Sequence, residues 1–89
     1  MVQKRMIGLA EYLFKTGKIN KAEIIYKQMI NIDANQILKE KAKFMLIEIE
    51  FERAKYKKAQ KKYLKYIKET PFGEFTHKAY RRIREIDRR

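Results

Sequence analysis

The chain has 89 residues, 45% of them apolar and 12% aromatic, with 23 Lys+Arg against 11 Asp+Glu and no Cys. That length suits one small domain, and its apolar content argues against intrinsic disorder despite 38% charge. The absence of Cys excludes a disulfide framework and any thiolate metal site, while a formal charge of +12 asks for a polyanionic partner or a well-solvated basic surface.

Taken in chain order, apolar residues recur at three- and four-residue steps between very few breakers: Gly8, Gly17, Gly73 and Pro71. This spacing predicts helix throughout. The first helix is expected from about Val2 to Lys15, with Met6, Leu9, Ala10 and Leu13 on one inward stripe. Thr16-Gly17 ends it, because glycine accepts the left-handed cap conformation. A second helix, about Lys18 to Asn31, carries Ala22, Ile25, Tyr26, Met29 and Ile30. Asp33-Ala34-Asn35-Gln36 offers an N-cap with Gln three residues on. The third helix, about Ala34 to Arg53, is apolar nearly all round from Phe44 to Phe51, so cover on more than one side is expected. A fourth, about Lys55 to Glu69, is stopped by Thr70-Pro71-Phe72-Gly73. A fifth, about Glu74 to Arg88, sets Ala79, Ile83 and Ile86 among arginines. Five helices with short connections imply an all-α fold.

Export and membrane insertion find no support. The longest apolar runs, such as Phe44–Ile47, fall far short of the roughly 20 residues a spanning helix needs. Lys4-Arg5 near the start resembles a signal-peptide n-region, but Glu11 and Lys15 cut the apolar stretch short. A cytoplasmic protein is expected, although an excised domain of an exported protein would look the same.

An internal repeat organises the chain. A shift of 37 residues pairs Lys4/Lys41, Leu9/Leu46, Glu11/Glu48, Phe14/Phe51, Lys18/Lys55, Lys21/Lys58, Ala22/Ala59, Tyr26/Tyr63 and Ile30/Ile67. It continues through Lys41/Lys78, Ala42/Ala79, Glu48/Glu85 and Ile49/Ile86. Chance from this composition would supply about a third as many identities. A helix pair repeated at this period points to stacked αα-hairpins.

Leu9-Ala10, Gly17-Lys18-Ile19, Ala22, Tyr26 and Met29 resemble a tetratricopeptide repeat. So do Leu46-Ile47, Lys55-Tyr56, Ala59, Tyr63 and Pro71, and Ala79-Tyr80 with Ile83 would open a third. The resemblance implies a right-handed αα-hairpin solenoid and one domain over residues 1–89. Its first repeat would span about 3–36, its second about 40–73, and a capping helix about 74–88. Departures from the family pattern are Met6 and Lys43 where Trp is favoured, Ile47 at a small-residue position, and Glu50 beside Phe51 where an aromatic is usual. The 37-residue spacing and Pro71–Ala79 also resemble repeats of bacterial outer-membrane assembly and Tol-Pal accessory proteins.

By that resemblance the chain is a protein-interaction adaptor or scaffold that binds a peptide or helix in a concave groove. The groove positions it implies are Lys4, Ile7, Glu11 and Phe14, then Lys41, Phe44, Met45, Glu48 and Phe51, then Lys78, Arg82 and Glu85. The alternative role for Phe14 and Phe51 is packing between neighbouring helices. The family's carboxylate clamp is not expected: Lys78 and Arg82 match it, but Ile7, Glu11 and Met45 replace its other members, and Glu11 would repel the ligand. Ala22 and Ala59 would let paired helices approach, with Tyr26, Tyr63 and Tyr66 in the core beside them.

Charge suggests a second reading. Residues 55–68 hold seven Lys and no acid, and residues 81–89 hold five Arg. Lys58, Lys61, Lys62, Lys65 and Lys68 share one face of the fourth helix and, with Arg81 and Arg84, form an anion-binding candidate for nucleic acid or another polyanion. The plainer reading of the same face is solvation. Self-association through the apolar N-terminal helix, with Met1, Val2, Met6 and Ile7, is a third expectation. Catalysis has little footing. His77 stands alone, Glu48 and Glu52 sit among lysines, and Thr16-Gly17-Lys18 lacks the upstream glycine of a phosphate-binding loop. No enzyme activity, metal or cofactor is expected.

Overall fold

The structure is a computed structural model that describes residues 2–32 and 35–89, with side chains from Lys4 onward within that range. The described residues form five helices and no strand: α1 (Val2–Lys15), α2 (Ile19–Asn31), α3 (Gln36–Glu52), α4 (Tyr56–Glu69) and α5 (Thr76–Asp87). The expected bounds hold to within two residues. α3 begins after Asn35, whose side-chain oxygen accepts the Ile37 N–H at 2.8 Å and so satisfies a free first-turn donor. The expected Asp33 cap, like the apolar side chains of Met1 and Val2, lies outside the described residues.

The chain divides into two compact units, Met1–Ile49 and Glu50–Arg89. That boundary falls inside α3 rather than near residues 36–40, where one sequence repeat was expected to give way to the next. The physical reason is the core of the first unit. There α1 and α2 pack as a hairpin, and the α3 side chains Ala42 and Ile49 join Ile7, Ala10, Leu13, Ala22, Tyr26 and Met29 in one buried cluster. Phe14, Met45 and Leu46 pack against its edge. Full burial of Ala22 and Ala10 leaves no side-chain bulk between the helices, which is what close approach requires.

In the second unit α4 packs on α5. Ala59, Tyr63 and Tyr66 are the buried residues of α4, and Thr76 and Ala79 those of α5. The connection between them is tied by polar contacts. The Thr70 hydroxyl donates to the Tyr66 carbonyl at 2.6 Å, and the Thr76 hydroxyl donates to the Thr70 carbonyl at 2.6 Å. The Tyr66 hydroxyl accepts the Phe75 N–H at 3.3 Å.

The turns after α1 and α3 share one geometry. Gly17 N–H bonds to Phe14 O at 3.2 Å and Lys18 N–H to Leu13 O at 2.8 Å. Thirty-seven residues on, Ala54 N–H bonds to Phe51 O and Lys55 N–H to Glu50 O, both at 3.0 Å. This pair of bonds is a Schellman cap, which needs a left-handed residue between them. Gly17 has φ 84° and Ala54 φ 61°. Lys18 and Lys55 then start the next helices with φ −87° in both and ψ 63° and 64°.

Candidate functional site

Most of the apolar groove candidates are not on the surface. In the first unit Ile7 and Phe44 are buried, as is Glu48, while Phe14 and Met45 are half-buried, packed against the core. Lys4 is exposed. Glu11 and Lys41 form an ion pair with each other, each about one-third exposed. In the second unit Phe51 is 8% exposed. Tyr56 meets its ring edge-on at a centroid distance of 5.5 Å, and the Arg82 guanidinium lies 4.4 Å above it. Arg82 also bonds Glu85 at 3.0 Å, and Lys78 is half-buried.

These positions correct the expected groove. Ile7, Phe44, Glu48 and Phe51 present almost no side-chain surface, so they cannot anchor a partner. The cause is the all-round apolar character of α3: Phe44, Ile47, Glu48, Ile49 and Phe51 are all buried. Packing is therefore the role of Phe51, the alternative that its spacing left open. Glu48 and Glu52 do not form a paired carboxylate site either, since Glu52 is exposed and Glu48 is not.

The cationic candidates lie at the surface. Lys58, Lys61, Lys62, Lys65 and Lys68 are all exposed along α4. Lys62 bonds Glu50 at 2.7 Å; the others have no ion pair among the described residues. Arg81 and Arg84 are exposed on α5. With Lys78, Arg82, Glu85 and Arg88 they line two surface depressions. Lining residues spaced three and four apart on one helix make valleys between side chains, not an enclosed chamber for a substrate. Arg89 is exposed and lies 4.3 Å over the Tyr56 ring.

Buried chemistry is concentrated at Tyr26. Its hydroxyl has no hydrogen-bond partner among the described residues. Burial, and after it the Glu11 carboxylate, push its ionisation well above the usual tyrosine range. A hydroxyl held neutral in the core has no evident reactive role. Among the described residues no group of three or more His, Asp or Glu is arranged to hold a metal ion. No helix among them is long and apolar enough to cross a membrane.

One surface was missed in the sequence. Leu9, assigned to the inward stripe of the first helix, is 51% exposed, and Tyr12 beside it is 62% exposed. The signal was present in the repeat, because their counterparts Leu46 and Ile49 belong to a face that packs. Compared with known proteins, the chain matches no family model, no curated protein and no solved structure.

Proposed function

We propose that the chain is a non-enzymatic, tetratricopeptide-like helical-repeat module, an adaptor that binds a protein partner in the cytoplasm. The observation that carries this reading is the twice-used hairpin start: the same Schellman cap at Gly17 and Ala54, followed at the same spacing by a buried Ala and a buried Tyr. A unit reused in this way consumes its inward residues in packing and leaves chemistry to outward helix faces. Photoreactive residues placed at Leu9, Lys61 and Arg84 in the producing cell, with mass spectrometry of the adducts, test it. Adducts to one defined protein are expected; adducts to nucleic acid alone, or none above a scrambled-sequence control, would end the reading.

A second reading is favoured by the unpaired cations on α4 and α5. Lys58, Lys61, Lys65, Lys68, Arg81 and Arg84 would neutralise phosphates of a polyanion without sequence preference. Titration of labelled RNA and DNA at two salt concentrations decides it, with affinity falling steeply as salt rises. Absence of binding at low salt removes it.

A further inference from the structure

Positions i, i+3, i+4 and i+7 form one helix face. On α3 that face is Ala42, Met45, Leu46 and Ile49, and it packs against the α1–α2 hairpin, with Ala42 and Ile49 fully buried. The equivalent face on α5 is Ala79, Arg82, Ile83 and Ile86, where Ala79 is fully buried on the side that meets α4 and Ile83 and Ile86 are half-buried. Thirty-seven residues before the α3 set stand Arg5, Gly8, Leu9 and Tyr12 on α1, and all four are exposed. The same face is thus covered in two helices and bare in the third.

Its composition says what would cover it. A Cβ at Gly8 would meet no heavy atom within 4 Å, so nothing inside the chain requires glycine there. Mid-helix glycine weakens a helix, and a flat spot beside Tyr12 and Leu9 suits close approach by another helix. Arg5 stands where α3 has buried Ala42, and Lys4 and Lys15 flank the patch; none of the three has an ion pair among the described residues. The one acid on that edge, Glu11, is engaged by Lys41, so the strip is bordered by a net excess of cations, which disfavours a second copy of itself and fits a partner edged by carboxylates. We infer that the outer face of α1 docks an amphipathic helix of a partner protein, whose apolar stripe is bordered by Asp or Glu. This rests on the reading of the chain as a protein-interaction module and names the surface and partner chemistry.

The probe is a synthetic helical peptide, about 20 residues long, with Leu at i, i+3, i+4 and i+7 bordered by Glu. A control peptide carries Lys in place of every Glu. Fluorescence anisotropy with the full chain should show binding of the acidic peptide only. The double variant Leu9→Glu/Tyr12→Glu and, separately, Gly8→Glu should each weaken it at least about tenfold. Gly8→Glu puts a better helix former into open space, so its loss of binding cannot be ascribed to unfolding; circular dichroism checks both. Lys58→Gln/Lys61→Gln/Lys65→Gln on α4 should bind as wild type does. The inference is overturned if the acidic peptide is not bound, if the α1 variants bind it equally, or if binding vanishes with the α4 lysines instead. It is also overturned if ultracentrifugation shows a wild-type dimer that Leu9→Glu/Tyr12→Glu dissolves, since a second copy would then be the occupant. Cellular adducts at Lys61 or Arg84 without peptide binding would leave the module reading standing and this inference fallen.

Discussion

The two turns at Gly17 and Ala54 make the same hydrogen bonds with different residues. In the first, glycine takes the left-handed conformation without steric penalty; in the second, alanine holds it at φ 61° against a Cβ clash. The backbone repeats more faithfully than the side chains do. Further contrasts follow the same line. Leu13 at the first turn is a core residue, whereas its counterpart Glu50 accepts Lys62. Met45 packs on the first core, and its counterpart Arg82 lies over Phe51. The stretch from Glu50 to Tyr56 thus keeps the turn geometry found after Leu13, and the second unit uses cation–aromatic and ionic contacts where the first uses aliphatic packing.

The largest test of that equivalence is in the cores. Tyr26 and Tyr63 are both fully buried at the same repeat position. Tyr26→Ala and Tyr63→Ala should each cost about 3–5 kcal/mol, read as a fall in the urea midpoint. Similar losses would mean that the two hairpins hold their aromatic plug alike. A large loss in one and a small loss in the other would break the comparison.

Helix number, helix bounds and the inward Ala and Tyr positions were legible because they depend on local spacing and short-range caps. Leu9 was misplaced for a physical reason: it lies at the margin of the α1 stripe, where the same spacing admits either face and only a neighbour decides. The groove assignment failed at Phe44, Glu48 and Phe51 because burial there is set by what packs on α3, which periodicity along one helix does not encode. The contacts of Arg82 and Arg89 with aromatic rings were not legible, since nothing in the chain order places Phe51 and Tyr56 beneath them. The lysine run of α4 was legible, because residues 55–68 hold seven Lys and no acid.

A change of about 1 kcal/mol is expected at the turns themselves, with opposite signs. Ala54→Gly should stabilise by relieving the left-handed strain, and Gly17→Ala should destabilise by introducing it. Equal signs would show that the two caps are not held in the same conformation. Next in size is Arg82→Gln, which removes the cation over Phe51 and the exposed bond to Glu85. A loss of about 0.5–1 kcal/mol is expected from the first contact, with little from the second. An unchanged urea midpoint would mean that the ring alone carries that part of the second unit.

The smallest effect concerns a single oxygen. Tyr26→Phe removes a buried hydroxyl that has no hydrogen-bond partner among the described residues, so its desolvation cost goes with no bond lost. Near neutral pH the variant should match wild type or exceed it by up to about 1 kcal/mol. Alkaline pH gives a sharper reading. The ionisation of Tyr26 is raised in the folded chain, by burial first and by Glu11 second, above the value of about 10 in an unfolded chain. Above that pH the unfolded chain has released a proton that the folded chain still holds, so wild-type stability falls as pH rises. Phenylalanine has no proton to release. The stability difference between Tyr26→Phe and wild type should therefore stay flat up to about pH 10 and then grow in favour of the variant. Taking the difference cancels the lysines and the other tyrosines, which titrate in both chains. A difference that stays flat through that range would show that the first hairpin does not hold its aromatic plug as a neutral hydroxyl in a dry core.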